Sequence, residues 1–148
     1  MFTPDESNAI IVAFKWGYLS RDDINDLAIA KIEQSDGTPP ANICELAMCK
    51  QDFEMHEVLN KMAEGAEKWA SLKCLFKTHV QIEALTNIEV SELATHVAHY
   101  IDWDDAKPWR DLKILDHEIG DARVGAYGDF DELCLEYKKI ILTVVNGK

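Results

Sequence analysis

Residues 3–32 read TPDESNAIIVAFKWGYLSRDDINDLAIAKI, and this stretch decides the fold class. Thr3 and Glu6 have the spacing of a capping box, Pro4 takes the first helical position, and Ala9, Ile10, Ala13 and Phe14 follow at helical spacing. Gly17 stops that helix near Trp16. Ser20 then caps a second helix, with Asp22 and Asp23 at its positive end and Ile24, Leu27, Ala28 and Ile32 as its apolar stripe. Ser35-Asp36-Gly37 turns the chain.

The same grammar continues outward. Thr38-Pro39 predicts the opening of a third helix with Ile43, Leu46 and Ala47 inward. Asp52 is expected to cap a fourth, which carries Phe53, Val58, Leu59 and Met62. A fifth spans about Glu67 to His79 on Trp69, Leu72, Leu75 and Phe76. A sixth follows Asn87 with Leu93, Val97, Tyr100 and Ile101 on one face. The last begins at Asp129, in a capping box with Glu132, and turns Leu133, Tyr137, Ile140, Ile141 and Val144 inward. Ile114 to Val124 admits a short extended piece. The expected fold is all-α, one domain over residues 1–148, a bundle of about six to seven short helices arranged as stacked hairpins.

Composition excludes several classes. The 148 residues are 47% hydrophobic and 28% charged, and no apolar run approaches the ~20 residues of a membrane span. MFTPDESNA at the start lacks the basic and apolar segments of a signal peptide, so a cytoplasmic protein is expected. Cys44, Cys49, Cys74 and Cys134 form no CxxC and read as reduced thiols within apolar helical patterns. The net charge of −12 argues against nucleic acid as a direct ligand, because phosphate binding needs a positive face.

The charge is unevenly placed. Residues 83–136 hold 14 acids and 4 bases, a balance of −10. The densest part is Asp102-Trp103-Asp104-Asp105, followed by Trp109 and Asp111 beyond Pro108. Two readings stand for it. The indoles plug the core from a surface loop while the aspartates cap helices; or the indoles are contact residues and the aspartates draw in a basic partner. Asp116 and Glu118 extend the negative face on the second reading, with Asp121, Asp129 and Asp131 beyond them.

Chemistry-bearing patterns are sparse. Glu92, His96 and His99 share a helix face, yet one helix supplies too few ligands for a metal, and no metal or other cofactor is expected. Arg110 and His117 have the Arg-x6-His spacing that resembles the HEPN ribonucleases, which implies charge stabilisation by Arg110 and proton transfer by His117. There is no Walker loop, GxGxxG or GxSxG, and the GAYG at 125–128 reads as a turn.

Trp16-Gly17-Tyr18-Leu19-Ser20, Lys68-Trp69 leading into Leu72 to Phe76, and Asp102-Trp103-Asp104 carry a further resemblance. The chain looks like the helical immunity proteins of bacterial contact-dependent growth inhibition. That likeness implies a non-enzyme that occludes a cognate toxin domain, basic and nuclease-like. The contact residues expected for it come from charge and aromatic content: Asp102, Trp103, Asp104, Asp105, Trp109, Asp111, Asp116 and Glu118. A ribonuclease and a non-catalytic adaptor are the alternatives.

Overall fold

Eight α-helices and one 3-10 turn account for the regular structure of a computed structural model that describes residues 1–126 and 128–147. In order they are α1 (Pro4–Lys15), α2 (Arg21–Glu33), α3 (Ala41–Met48), α4 (Asp52–Met62), α5 (Lys68–Thr78), the 3-10 turn at Ile82–Ala84, α6 (Asn87–Tyr100), α7 (Trp109–Arg123) and α8 (Phe130–Val145). No strand occurs among the described residues. Nor is any described helix long and apolar enough to cross a membrane.

The chain groups into two units, Met1–Val80 and Gln81–Lys148. In the first, α1 packs chiefly on α5 and α4, and α2 packs on α3. Its core gathers Ile10, Ile24, Ile43, Leu46, Met55 and Leu59. In the second, α7 packs on α6 and α8, and α8 also meets α6 and the 3-10 turn. Leu93, Val97, Leu112, Ile119, Tyr137 and Ile141 are buried there.

Helix ends follow local chemistry in most places. Thr3 Oγ1 accepts from Glu6 N while Glu6 Oε1 accepts from Thr3 N, and Ser20 with Asp23 closes the same reciprocal pair. Gly17 takes φ +85° just after the α1 C-cap, a conformation that an L side chain rarely adopts. Thr86 and Glu89 form a third box, which opens α6. Glu67 caps α5 with its own carboxylate, and its N–H donates to Asp5 Oδ1 at 2.7 Å, tying α5 to α1.

Several expectations need correction. Thr38-Pro39 does not open α3, which starts at Ala41 behind Pro40 with no side-chain cap. Asp52 is the first residue of α4, and Gln51 holds the cap position. Asp129 accepts from Glu132 N, but the return bond of a capping box is missing. Phe53 is 61% exposed, because the core face of α4 is Met55, Leu59 and Met62 and Phe53 stands two residues, about 200°, away from it. The extended piece at Ile114 to Val124 is helix: α7 buries Trp109, Leu112, Leu115, Ile119 and Ala122 along one face. Tyr127, inside the GAYG turn, lies outside the described residues; Gly125 and Gly128 on either side have positive φ, as a turn requires.

Candidate protein-docking surface

α7 carries most of the expected contact residues, and its helical geometry divides them between two sides. Asp111 and Glu118, seven residues apart, face α8 together with Ile114 and Leu115. Asp116 faces α6 instead, where its carboxylate lies 3.5 Å from Thr95 Oγ1. Burial pushes the Asp116 carboxyl above the ordinary range, against the opposing charges of His117, His99 and Lys113. The eight residues therefore do not form one patch.

The two indoles separate as well. Trp109 is only 6% exposed and belongs to the core face of α7, so its expected role as a contact residue is corrected. It is the first apolar residue of that helix, and burying so large a ring anchors the helix start. Trp103 is 52% exposed. Its ring stacks on His117 at 6.2 Å between centroids with 12° between planes, and Lys113 Nζ lies 5.2 Å from its centre. Lys113 is itself held, donating to Ala98 O at 2.7 Å and Ile101 O at 2.8 Å at the C-terminal end of α6. The indole is therefore both accessible and fixed.

The core-plug reading therefore holds for Trp109, whereas Trp103 is exposed as the contact reading requires. Asp105 is structural: its Oδ2 accepts from Asp102 N at 2.6 Å and its own N–H donates to Asp102 O. Asp111 lies 3.9 Å from Lys107 Nζ. Asp131 accepts from Asn87 Nδ2 and ties α8 to the start of α6. Asp104 and Glu118 are exposed and make no hydrogen bond or ion pair among the described residues.

The seam between α7 and α8 is a continuous shallow groove. Three depressions of about 180, 170 and 290 Å³ follow one another along it. The first two share Glu136 and Ile140, and Glu118 joins the middle one to the third. Ile114, Leu115, Ile140 and Leu133 supply its apolar floor, and Asp111, Glu118, Asp121 and Glu136 its acidic rim. Pro108 and Lys139 close one end. From Pro108 to Asp121 the groove runs about 20 Å, at ~1.5 Å per helical residue. Glu136, Ile114, Ile140 and Leu133 had no place in the expected contact set. The spacing Asp111, Ile114, Leu115, Glu118 would have shown the groove side once α7 was read as a helix.

Other chemistry finds less support in the geometry. Among the described residues no three His, Cys, Asp or Glu side chains lie together as a metal would need, and His99 Nδ1 sits 2.8 Å from its own helix's Thr95 O. Arg110 and His117 are both exposed on α7, about 10 Å apart along the axis. The four cysteines are free, with Cys49 and Cys134 buried.

Residues 6–90, more than half of the chain, match the family model DUF2247, described as "Uncharacterized protein conserved in bacteria". No curated protein and no solved structure matches the chain.

Proposed function

The chain belongs to the bacterial DUF2247 family, and we propose that it serves there as a cytoplasmic immunity protein, binding a cognate toxin domain and covering its active site. The observation that carries this reading is the α7–α8 groove, an apolar floor rimmed by Asp111, Glu118, Asp121 and Glu136, with Trp103 fixed on the opposite flank of α7. A nuclease must present positive charge where it holds phosphates, so its active-site rim is complementary to such a surface. The partner expected is therefore a basic, nuclease-type toxin domain. Its positive potential would be steered to the acids at long range, while an inserted apolar side chain and the Trp103 ring supply short-range affinity. Occlusion needs no turnover, so the chain requires neither a nucleophile nor a metal.

The reading predicts a toxin domain encoded beside this protein, and the test uses that domain. Purified together, the two should form a stable complex in which the toxin's nuclease activity is suppressed. Asp104→Lys combined with Glu118→Lys and Glu136→Lys should slow association about tenfold or more at low salt, an effect that fades as salt screens the charges. These three side chains make no bonds among the described residues, so their reversal leaves the scaffold intact, unlike Asp105. Unchanged association at low salt would remove the groove from the interface. RNA cleavage by the purified chain, abolished in His117→Ala, would replace the inhibitor reading by the ribonuclease one.

A further inference from the structure

A second surface, in the first unit, has a different make. Met48 ends α3 with 76% of its surface exposed, and Phe53 near the start of α4 is 61% exposed. Between the two helices lies a cleft of about 370 Å³ lined by Glu45, Met48, Cys49, Glu54, Glu57 and Val58. Phe53 stands one helical turn before Glu57 and extends the apolar part of this surface outward. The carboxylates of Glu45, Glu54 and Glu57 are exposed and make no bond among the described residues, whereas the nearby Arg21 is paired with Asp52 at 3.1 Å. The remaining cations close in sequence are Lys50 and Lys61, both exposed. Burial, then the charges of Glu54 and Glu45, push the Cys49 thiol upward, which marks the cleft as a negative environment.

We propose that the α3–α4 cleft docks a basic segment of a partner protein, one that seats an apolar side chain against Met48 and Val58 while flanking lysines or arginines meet Glu45, Glu54 and Glu57. Charge complementarity selects this occupant. An anionic membrane or a nucleic acid would face three unpaired carboxylates. A second copy of the chain would bring another net charge of −12 to the same rim. Methionine at the contact suits a partner whose apolar side chain varies, because its unbranched thioether adapts its shape. The surface lies outside the α7–α8 groove and stands whether or not that groove binds a toxin.

The experiment uses the full chain with carbon-13-labelled methionine methyl groups and a synthetic leucine–lysine amphipathic helix as probe. The Met48 methyl resonance is expected to shift on titration while that of fully buried Met55 stays in place. Phe53→Ser, which keeps Met48 as the reporter, and separately Glu45→Lys with Glu54→Lys and Glu57→Lys, should each weaken the probe binding read at the Met48 methyl about tenfold, roughly 1.4 kcal/mol. Glu118→Lys with Glu136→Lys should leave the Met48 shift intact. A Met48 resonance that the probe does not move overturns the proposal. So does an equal shift with a serine–lysine peptide, which would mean charge alone. A Met48 shift that follows protein concentration without any peptide would assign the face to a second copy instead.

Discussion

The α7–α8 groove and the α3–α4 cleft both set carboxylates around apolar side chains, yet they differ in how firmly those side chains are held. Ile114 and Leu115 sit on a helix whose opposite flank is fastened through Lys113 to α6, and the neighbouring Trp103 is clamped between His117 and Lys113. Met48 and Phe53 stand at helix ends with most of their surface in water. A pre-ordered ring loses little freedom on binding and favours one partner shape, whereas an exposed, unbranched methionine can adapt to several. On the two proposals, the second unit would make a specific contact and the first a permissive one.

The sharpest way to break this contrast is to truncate the tryptophans. Trp109→Ala should destabilise the second unit by about 3–5 kcal/mol, read as a lower denaturation midpoint, because it empties a core position. Trp103→Ala should change stability by about 0.5 kcal/mol or less yet weaken toxin binding by roughly 2 kcal/mol in calorimetry, a hot-spot loss. If instead Trp103→Ala unfolds the protein and binding to the remaining folded fraction is unchanged, the ring is a scaffold element and the contrast disappears.

Smaller effects belong to the helix ends. Thr3→Ala in the first unit and Thr86→Ala in the second should each cost about 1 kcal/mol, since each deletes half of a reciprocal cap. Hydrogen exchange should report the first loss in α1 and the second in α6.

Acidification should pull the two units in opposite directions, by the smallest margin. His79 in the first unit is half-buried, and desolvation lowers its affinity for a proton below the ordinary 6.5. The unfolded chain therefore binds more protons there, and stability falls as pH drops through 6.5 toward the lowered folded value. Asp116 in the second unit has the reverse sign. Its folded carboxyl binds a proton above 3.8, so its burial penalty is present at neutral pH and is relieved as pH falls through that raised value. His79→Gln should flatten the first trend and Asp116→Asn the second, as followed by thermal melts across pH. Glu89 adds an opposing term in the second unit. Its hydrogen bonds with Thr86 lower its carboxyl, and that support is present above 4.5 and lost as pH falls through the lowered folded value.

Most of the scaffold was legible in the sequence because short-range chemistry wrote it. Thr3-Pro4-Asp5-Glu6 and Ser20-Arg21-Asp22-Asp23 state their own helix starts, and the stripes of α5, α6 and α8 are buried in part, with Trp69, Tyr100, Leu133 and Ile140 only half-buried. α7 was illegible because Pro108 at its cap position offers no side-chain bond and its exposed face carries the β-branched Ile114. The candidate site was legible as charge but not as shape. Which acids point together depends on the 100° per residue of α7, so Asp116 parts from Glu118 although they are neighbours in sequence. Whether Trp103 or Trp109 faced outward was set by the start of α7, the boundary that the sequence hid.

Asp104, Glu118 and Glu136 make no hydrogen bond or ion pair among the described residues, while Lys113 and Asp105 hold the α6–α7 corner together. On the proposed reading, recognition and architecture fall to different side chains of the α6–α7 loop, α7 and α8. Such a layout would let a binding preference drift through single replacements on the rim without a toll on folding. If the proposed inhibitor role holds, exchanging those rim positions would be the shortest engineering route to a different partner.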